Sequence, residues 1–330
     1  MFKNLTVFRI GTQWQPSPTD LENGLDKSRF VPCGASQPQS SGWVEPRGSA
    51  HAPLLESIDG QWLMKFKIEQ RVLPGAVVKR RTEEIARQIE EETGRKPGKK
   101  LTKEIKEQAT QELLPKAFTK QSAVNVWIDP QNRFLVLDCT SQNKSEEIIA
   151  SLVKHVDGFA VSAIQTALSP SVAMTEWLLS GEPPADFTVD RECELKSTDE
   201  MKSVVRYARH LLDTEEVRQH IISGKVATRL ALTWNSRVSF MLTESLQIKK
   251  LAFLDVVFEG QSGSYADKDE AFDADAAITT GELRELIPDL LDVLGGELPG
   301  MGSEPAPATI QHEPAPTSAT TSASDDSPPW

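Results

Sequence analysis

One stretch, from Pro74 to Phe118, constrains this chain most, because it reads as two charged helices while the sequence on either side alternates like strands. Val78, Thr82, Ile85 and Ile89 recur at steps of three or four across a helix of roughly Ala76 to Thr93. Gly94, Pro97 and Gly98 interrupt it, and from about Thr102 a second helix aligns Leu101, Ile105, Ala109 and Leu113 before Pro115 ends it. Both apolar stripes are narrow. Two such stripes joined by a short break predict a helical hairpin over residues 76–114, covered mostly by its own halves and so projecting as an arm. Lys79, Arg80 and Arg81, then Arg95, Lys96, Lys99, Lys100, Lys103 and Lys106 coat it. That coat suits a nucleic-acid contact, and equally a plain solvated helix surface.

The net charge of −12 over 330 residues would count against nucleic acid if it were spread evenly. It is not. From Asp255 onward there are 16 acidic residues against 2 basic, whereas Lys65 to Lys120 holds 15 basic against 9 acidic. Segregation of this kind is what a nucleic-acid binder needs. No run approaches the ~20 apolar residues of a membrane span, and the first residues lack the features of a secretory signal, so a cytoplasmic protein without a membrane partner is expected. Cys33, Cys139 and Cys193 are too far apart and too few for a disulfide framework or a zinc site, and reduced, buried thiols are expected.

The rest of the chain reads as α+β, with antiparallel sheets and packed helices. Leu5 to Ile10 alternates as a first strand and a short helix follows near Leu21 to Lys27. Asp59-Gly60 signals a hairpin into a strand with Trp62, Met64, Phe66 and Ile68 on a single buried face. Past the arm come strands at Ala123 to Ile128 and Phe134 to Cys139, then a helix from Ser145 to Val156. A division near residue 165 separates an N-terminal half, 1–165, from a C-terminal half, 166–297. The second half predicts a helix opened by Pro170, strands at Phe187 to Leu195 and Lys202 to Leu211, and a helix from Thr214 closed by Gly224. A hairpin follows with a three-residue loop, Trp234 to Ser236, pairing Leu232 with Val238 and Leu230 with Phe240, and its polar face carries Lys225, Arg229 and Arg237. Ile248 to Phe258 is expected as strand and Gly281 to Leu294 as a closing helix. Residues 298–330, rich in Pro, Ala, Ser and Thr, are expected to be a disordered acidic tail.

No catalytic constellation emerges and no cofactor is expected. Gly224-Lys225 lacks the remainder of a phosphate loop, and the five histidines form no pair at metal-ligand spacing. Asp273 and Asp275 lack the glycine and glutamate of a calcium loop, and an acidic strand edge accounts for them. A magnesium-dependent nuclease built from distant carboxylates, and a protein-binding scaffold without DNA contact, remain as alternatives. Besides the arm, Arg206, Arg209, Lys225, Arg229 and Arg237 gather around two strands and a helix end, as backbone recognition of DNA would require. Neither basic group is interleaved with aromatics, which favours duplex over single strands.

At Leu113-Leu114-Pro115-Lys116-Ala117-Phe118 the chain resembles the bacterial recombination-associated RdgC family. Phe30-Val31-Pro32-Cys33-Gly34, Gly42-Trp43-Val44, Thr175-Glu176-Trp177, the run Gly224 to Leu232, Phe272-Asp273-Ala274-Asp275 and Thr280-Gly281-Glu282-Leu283 extend the resemblance in unbroken order to about Glu297. It implies a non-catalytic protein that binds duplex DNA without sequence preference, encircles it as a ring-shaped homodimer and restrains RecA-promoted strand exchange in the nucleoid. It also implies a dimer contact at Phe118 and DNA contact at the pair Arg209-His210. Lys99 and Lys100 join Arg206, Arg209, His210, Lys225, Arg229 and Arg237 as the expected DNA-binding residues.

Overall fold

The computed structural model describes residues 2–259 and 267–298. β1 (Thr6–Ile10) leads to α1 (Pro18–Asp26), whose N-cap Ser17 accepts the Asp20 amide and whose first turn carries proline where no amide is missed. β2 (Gln39–Val44), β3 (Glu56–Ile58) and β4 (Gln61–Val72) follow. Asp59 and Gly60 join β3 to β4 with φ of 49° and 76°, the left-handed pair that a tight hairpin demands. Next come α2 (Gly75–Thr93), α3 (Lys99–Leu113), β5 (Phe118–Asp129), β6 (Phe134–Leu137), α4 (Gln142–His155) and β7 (Val161–Ala163). The remainder is α5 (Pro170–Ser180), β8 (Phe187–Ser197), β9 (Val204–Ala208), α6 (Glu215–Ile222), β10 (Lys225–Trp234), β11 (Val238–Thr243), β12 (Ile248–Phe253) and α7 (Lys268–Val293).

The strands form two antiparallel sheets, so the fold is α+β. One runs β2-β4-β5-β6-β1-β7 with β3 on the edge of β4; the other runs β12-β11-β10-β8-β9. Trp62, Met64, Phe66 and Ile68 share a face of the first sheet, packed with Trp43, Val126 and Leu137 under Leu21 of α1 and Leu152 of α4. The opposite face is not solvated throughout, as the alternation suggested. Leu63 is buried there in line with Trp127 and Val136, in a second core that includes α5, α7 and the second sheet. Gly42 has a packing reason: a Cβ would meet the Phe30 amide nitrogen at 2.6 Å, because residues 28–30 run alongside β2.

α2 and α3 pack on each other around a separate small cluster of Ile85, Ile105 and Ala109. α3 begins three residues before the expected start. Several expectations in the second half need correction. The β10–β11 loop is Asn235 to Arg237 and pairs Leu232 with Phe240 and Trp234 with Val238, because Trp234 is itself an inward residue, 1% exposed. The strand expected to reach Phe258 ends at Phe253 and gives way to a single 3-10 turn over Asp255–Phe258. The closing helix starts at Lys268, well ahead of Gly281, since Asp267 caps the Asp269 and Glu270 amides at 2.9 and 2.8 Å. Asp273 and Asp275 therefore lie on a helix rather than a strand edge, and Asp273 pairs with Arg47 at 2.6 Å. The three cysteines are free; Cys139 and Cys193 are buried and Cys33 is half-buried. No helix among the described residues is long and apolar enough to cross a membrane. The expected tail beyond Leu298 lies outside the described residues.

Candidate nucleic-acid interface

The basic residues of the second sheet are sorted by a β-bulge. Ala227 pairs with Leu195, but the next partner pair is Arg229 with Glu194, so one residue of β10 is skipped. α5 holds the bulge in place: Thr175 Oγ1 accepts the Ala227 amide at 2.8 Å and Ser171 Oγ donates to the Ala227 carbonyl at 2.7 Å. Ahead of the bulge, Lys225 stays with Ala227 and Leu195 on the face that α5 and α6 cover, and its Nζ lies 3.4 Å from His220 Nδ1. Beyond it, Arg229 turns to the opposite face, beside Glu194 and Arg206. Lys225 and Arg229 thus do not share a face, contrary to simple alternation.

On that outer face one carboxylate organises two guanidinium groups. Glu194 Oε2 accepts from Arg206 Nε at 2.6 Å and lies 3.7 Å from Arg229 Nη1, while Oε1 accepts from Thr228 Oγ1 at 2.9 Å. The Glu194 side chain is 12% exposed, against 71% for Arg206 and 50% for Arg229. The Arg206 hydrogen bond, then those from Thr228 and the Arg229 charge, hold its carboxyl below the usual carboxylate range. Each guanidinium has five N–H donors, so both arginines keep outward edges for an anion such as a phosphate. Arg209 is exposed, sits at φ 58° at the end of β9, and has no ion-pair partner among the described residues. His210 is exposed, with Nδ1 2.6 Å from the Leu211 carbonyl and its ring 5.4 Å from that of Tyr207. Arg237 lies in the β10–β11 loop and is bound to Glu282 of α7, Nε to Oε2 at 2.9 Å, so its charge is internally compensated.

The helix pair divides likewise. Lys79, Arg80 and Arg81 pair with Glu83, Glu84 and Glu112, Arg81 reaching across to Glu112 of α3 at 2.9 Å. Arg95, Lys96, Lys99 and Lys100, around the connection between the helices, are exposed and have no ion pair among the described residues. Lys99 and Lys100 open α3, whose first turn holds no acid and whose N-cap Gly98 offers no side chain. Cations there oppose the helix dipole, so they do not serve the helix. Below the pair, the last register step of β4 and β5 places Phe118, 87% exposed, opposite Val72, 46% exposed.

Glu194 and Thr228 escaped the sequence reading. No pattern marks them, since their meeting depends on the bulge. Among the described residues no three His, Cys, Asp or Glu side chains converge as metal ligands would.

Residues 1–297 match the family model described as "Putative exonuclease, RdgC". The chain is 43% identical over 300 residues to the recombination-associated protein RdgC of Dechloromonas aromatica, covering 90% of this chain and 98% of that protein. It is 44% and 45% identical over 296 residues to the proteins of the same name from Cupriavidus pinatubonensis and Cupriavidus necator, with 90% and 98% coverage in both.

Proposed function

The chain belongs to the RdgC family of recombination-associated proteins, and from that premise we propose that it binds duplex DNA without sequence preference and without catalysis. Its homodimer closes around DNA as a ring and restrains RecA-promoted strand exchange in the nucleoid by occupying the duplex. The observation that carries this reading is the pair Arg206 and Arg229, set side by side by Glu194 and open to solvent on an otherwise structured sheet. Long cationic side chains on a rigid sheet read phosphates, which every sequence presents alike. Arg209, exposed just past the end of β9, adds a cation at the end of the same sheet, and Arg95, Lys96, Lys99 and Lys100 supply a second basic group around the connection between α2 and α3. Phe118, exposed beside Val72, supplies the apolar contact through which two copies meet. Lys225, His210 and Arg237, each engaged elsewhere, are left out of the primary contact set.

The description of the family as an exonuclease supports a second reading, a magnesium-dependent nuclease. One experiment separates the two. Supercoiled and linear duplex are incubated with the protein and magnesium, then resolved on gels over a salt series. A shift without strand loss, collapsing between ~50 and ~200 mM salt as released counterions require, is expected. Degradation or nicking overturns the non-catalytic reading, and a shift indifferent to salt overturns the phosphate reading.

A further inference from the structure

At the edge of the second sheet a cleft of about 390 Å³ opens between the end of α5, the start of β8 and the segment leading into α6. Trp177, Leu178 and Pro183 form its apolar wall with Leu211 and Leu212, and Leu211 is 64% exposed at the rim. The charged groups at the cleft are unequally occupied. Asp213 is bound to Arg218, and Asp190 accepts from Thr233 Oγ1 at 2.9 Å. Arg191, which also lines the cleft, is exposed and has no ion pair among the described residues. Arg209 stands close by, because the His210 amide donates to the Arg191 carbonyl at 3.1 Å. An aromatic-walled cleft with one uncompensated guanidinium group in its lining, and a second exposed arginine, Arg209, on the chain segment beside it, fits a ligand combining a large apolar side chain with acids.

This chain carries such a ligand in Asp325-Asp326-Ser327-Pro328-Pro329-Trp330. We propose that this segment docks in the cleft, with the Trp330 ring against Trp177, Leu178 and Leu211 and with Asp325 and Asp326 facing Arg191 and Arg209. Consecutive prolines favour an extended polyproline conformation, the form that aromatic-lined grooves accept with little ordering cost. The spacing allows it. The Leu298 amide donates to the Gln165 carbonyl, and Gln165 is twelve residues from Trp177, which places the cleft within about 30 Å of Leu298 given extended and helical rises. Residues 299–324 separate Leu298 from Asp325, and a chain of that length can reach well beyond that distance. Docked there, the acids lie beside Arg209, so the segment competes internally with duplex; that consequence rests on the DNA reading above, whereas the docking does not.

The test uses full-length protein and a fluorescein-labelled, C-terminally amidated peptide of residues 321–330, with no DNA present. Fluorescence anisotropy is expected to show the peptide binding the Trp330→Ala chain and binding the unaltered chain at least about tenfold more weakly, because the tethered segment holds the cleft at high effective concentration. Adding Leu211→Glu to Trp330→Ala should weaken peptide binding about tenfold or more, and Arg191→Ala serves if Leu211→Glu disturbs the circular dichroism melt. Replacing both peptide aspartates by Asn should weaken binding several-fold at low salt. Equal binding by the Trp330→Ala and unaltered chains, no binding by either, or indifference to both cleft substitutions overturns the proposal. A cleft substitution that instead changes the sedimentation of the protein assigns the cleft to a second copy and overturns it too.

Discussion

Glu194 shows how one buried carboxylate can work both for and against a phosphate surface. It orients Arg206 and Arg229, yet its charge repels the phosphates those arginines would meet. Glu194→Gln keeps an amide oxygen to accept from Arg206 and an amide N–H that Thr228 Oγ1 can accept, while removing the charge, so it should tighten duplex binding by about 3- to 10-fold at low salt, fading as salt screens the site. Anisotropy titrations at two ionic strengths check this; weakened binding would mean that orientation outweighs repulsion. The same residue sets a pH dependence. Its folded pKa is depressed, so its stabilisation is present above the ordinary carboxylate range and lost as pH falls through the folded value. Melting temperatures followed downward through the acid range should fall less steeply for Glu194→Gln than for the unaltered chain. The arginines were legible from sequence as residue types. Their shared anchor was not, because Glu194 and Arg229 meet only after a one-residue slip that alternation does not foresee.

Among the elements, local signals fared better than long-range ones. Gly94 marked the end of α2 and the proline-glycine break parted it from α3, which nevertheless starts at Lys99, directly after that break and ahead of the expected Thr102, and the Asp59-Gly60 hairpin followed from turn chemistry. The β10–β11 register was shifted by two residues because a register that also kept one face apolar was available. α7 was read at half its length, since its acidic first half looks helical only once Asp267 caps it. The helix pair allows a clean energetic test. Its cluster of Ile85, Ile105 and Ala109 is separate from the two larger cores, and Ile105 is 2% exposed. Ile105→Ala should cost about 2–4 kcal/mol locally. Hydrogen exchange should then quicken across residues 75–113 while β10 and β11 keep their protection. Uniform loss of protection would show that the pair is not an independent unit.

At the scale of the whole molecule, the second core binds the two sheets together: Leu63, Trp127 and Val136 of the first pack in one cluster with Leu195, Leu230 and Leu283. A bridge between Leu5 and Ile248 joins them at the backbone, and Trp234 Nε1 donates to Asp289 of α7 at 2.9 Å. A body tied in this way keeps its surfaces in fixed relation, which a ring made of two copies requires. Phe118 stands apart from every core, so its exposure has no explanation within a single chain. In the proposed homodimer it is covered by the partner copy, and an aromatic anchor desolvated at an interface typically contributes 2 kcal/mol or more, roughly 30-fold in affinity. Phe118→Ala should therefore leave the melting temperature of the monomer nearly unchanged, because the side chain packs against little of its own chain. Sedimentation velocity over a dilution series should show the dimer dissociating at roughly 30-fold higher concentration or more. Val72→Ala, opposite it across β4 and β5, should act in the same direction and more weakly, in proportion to its smaller exposed area. If Phe118→Ala leaves the dilution series unchanged, Phe118 is not the contact through which two copies meet.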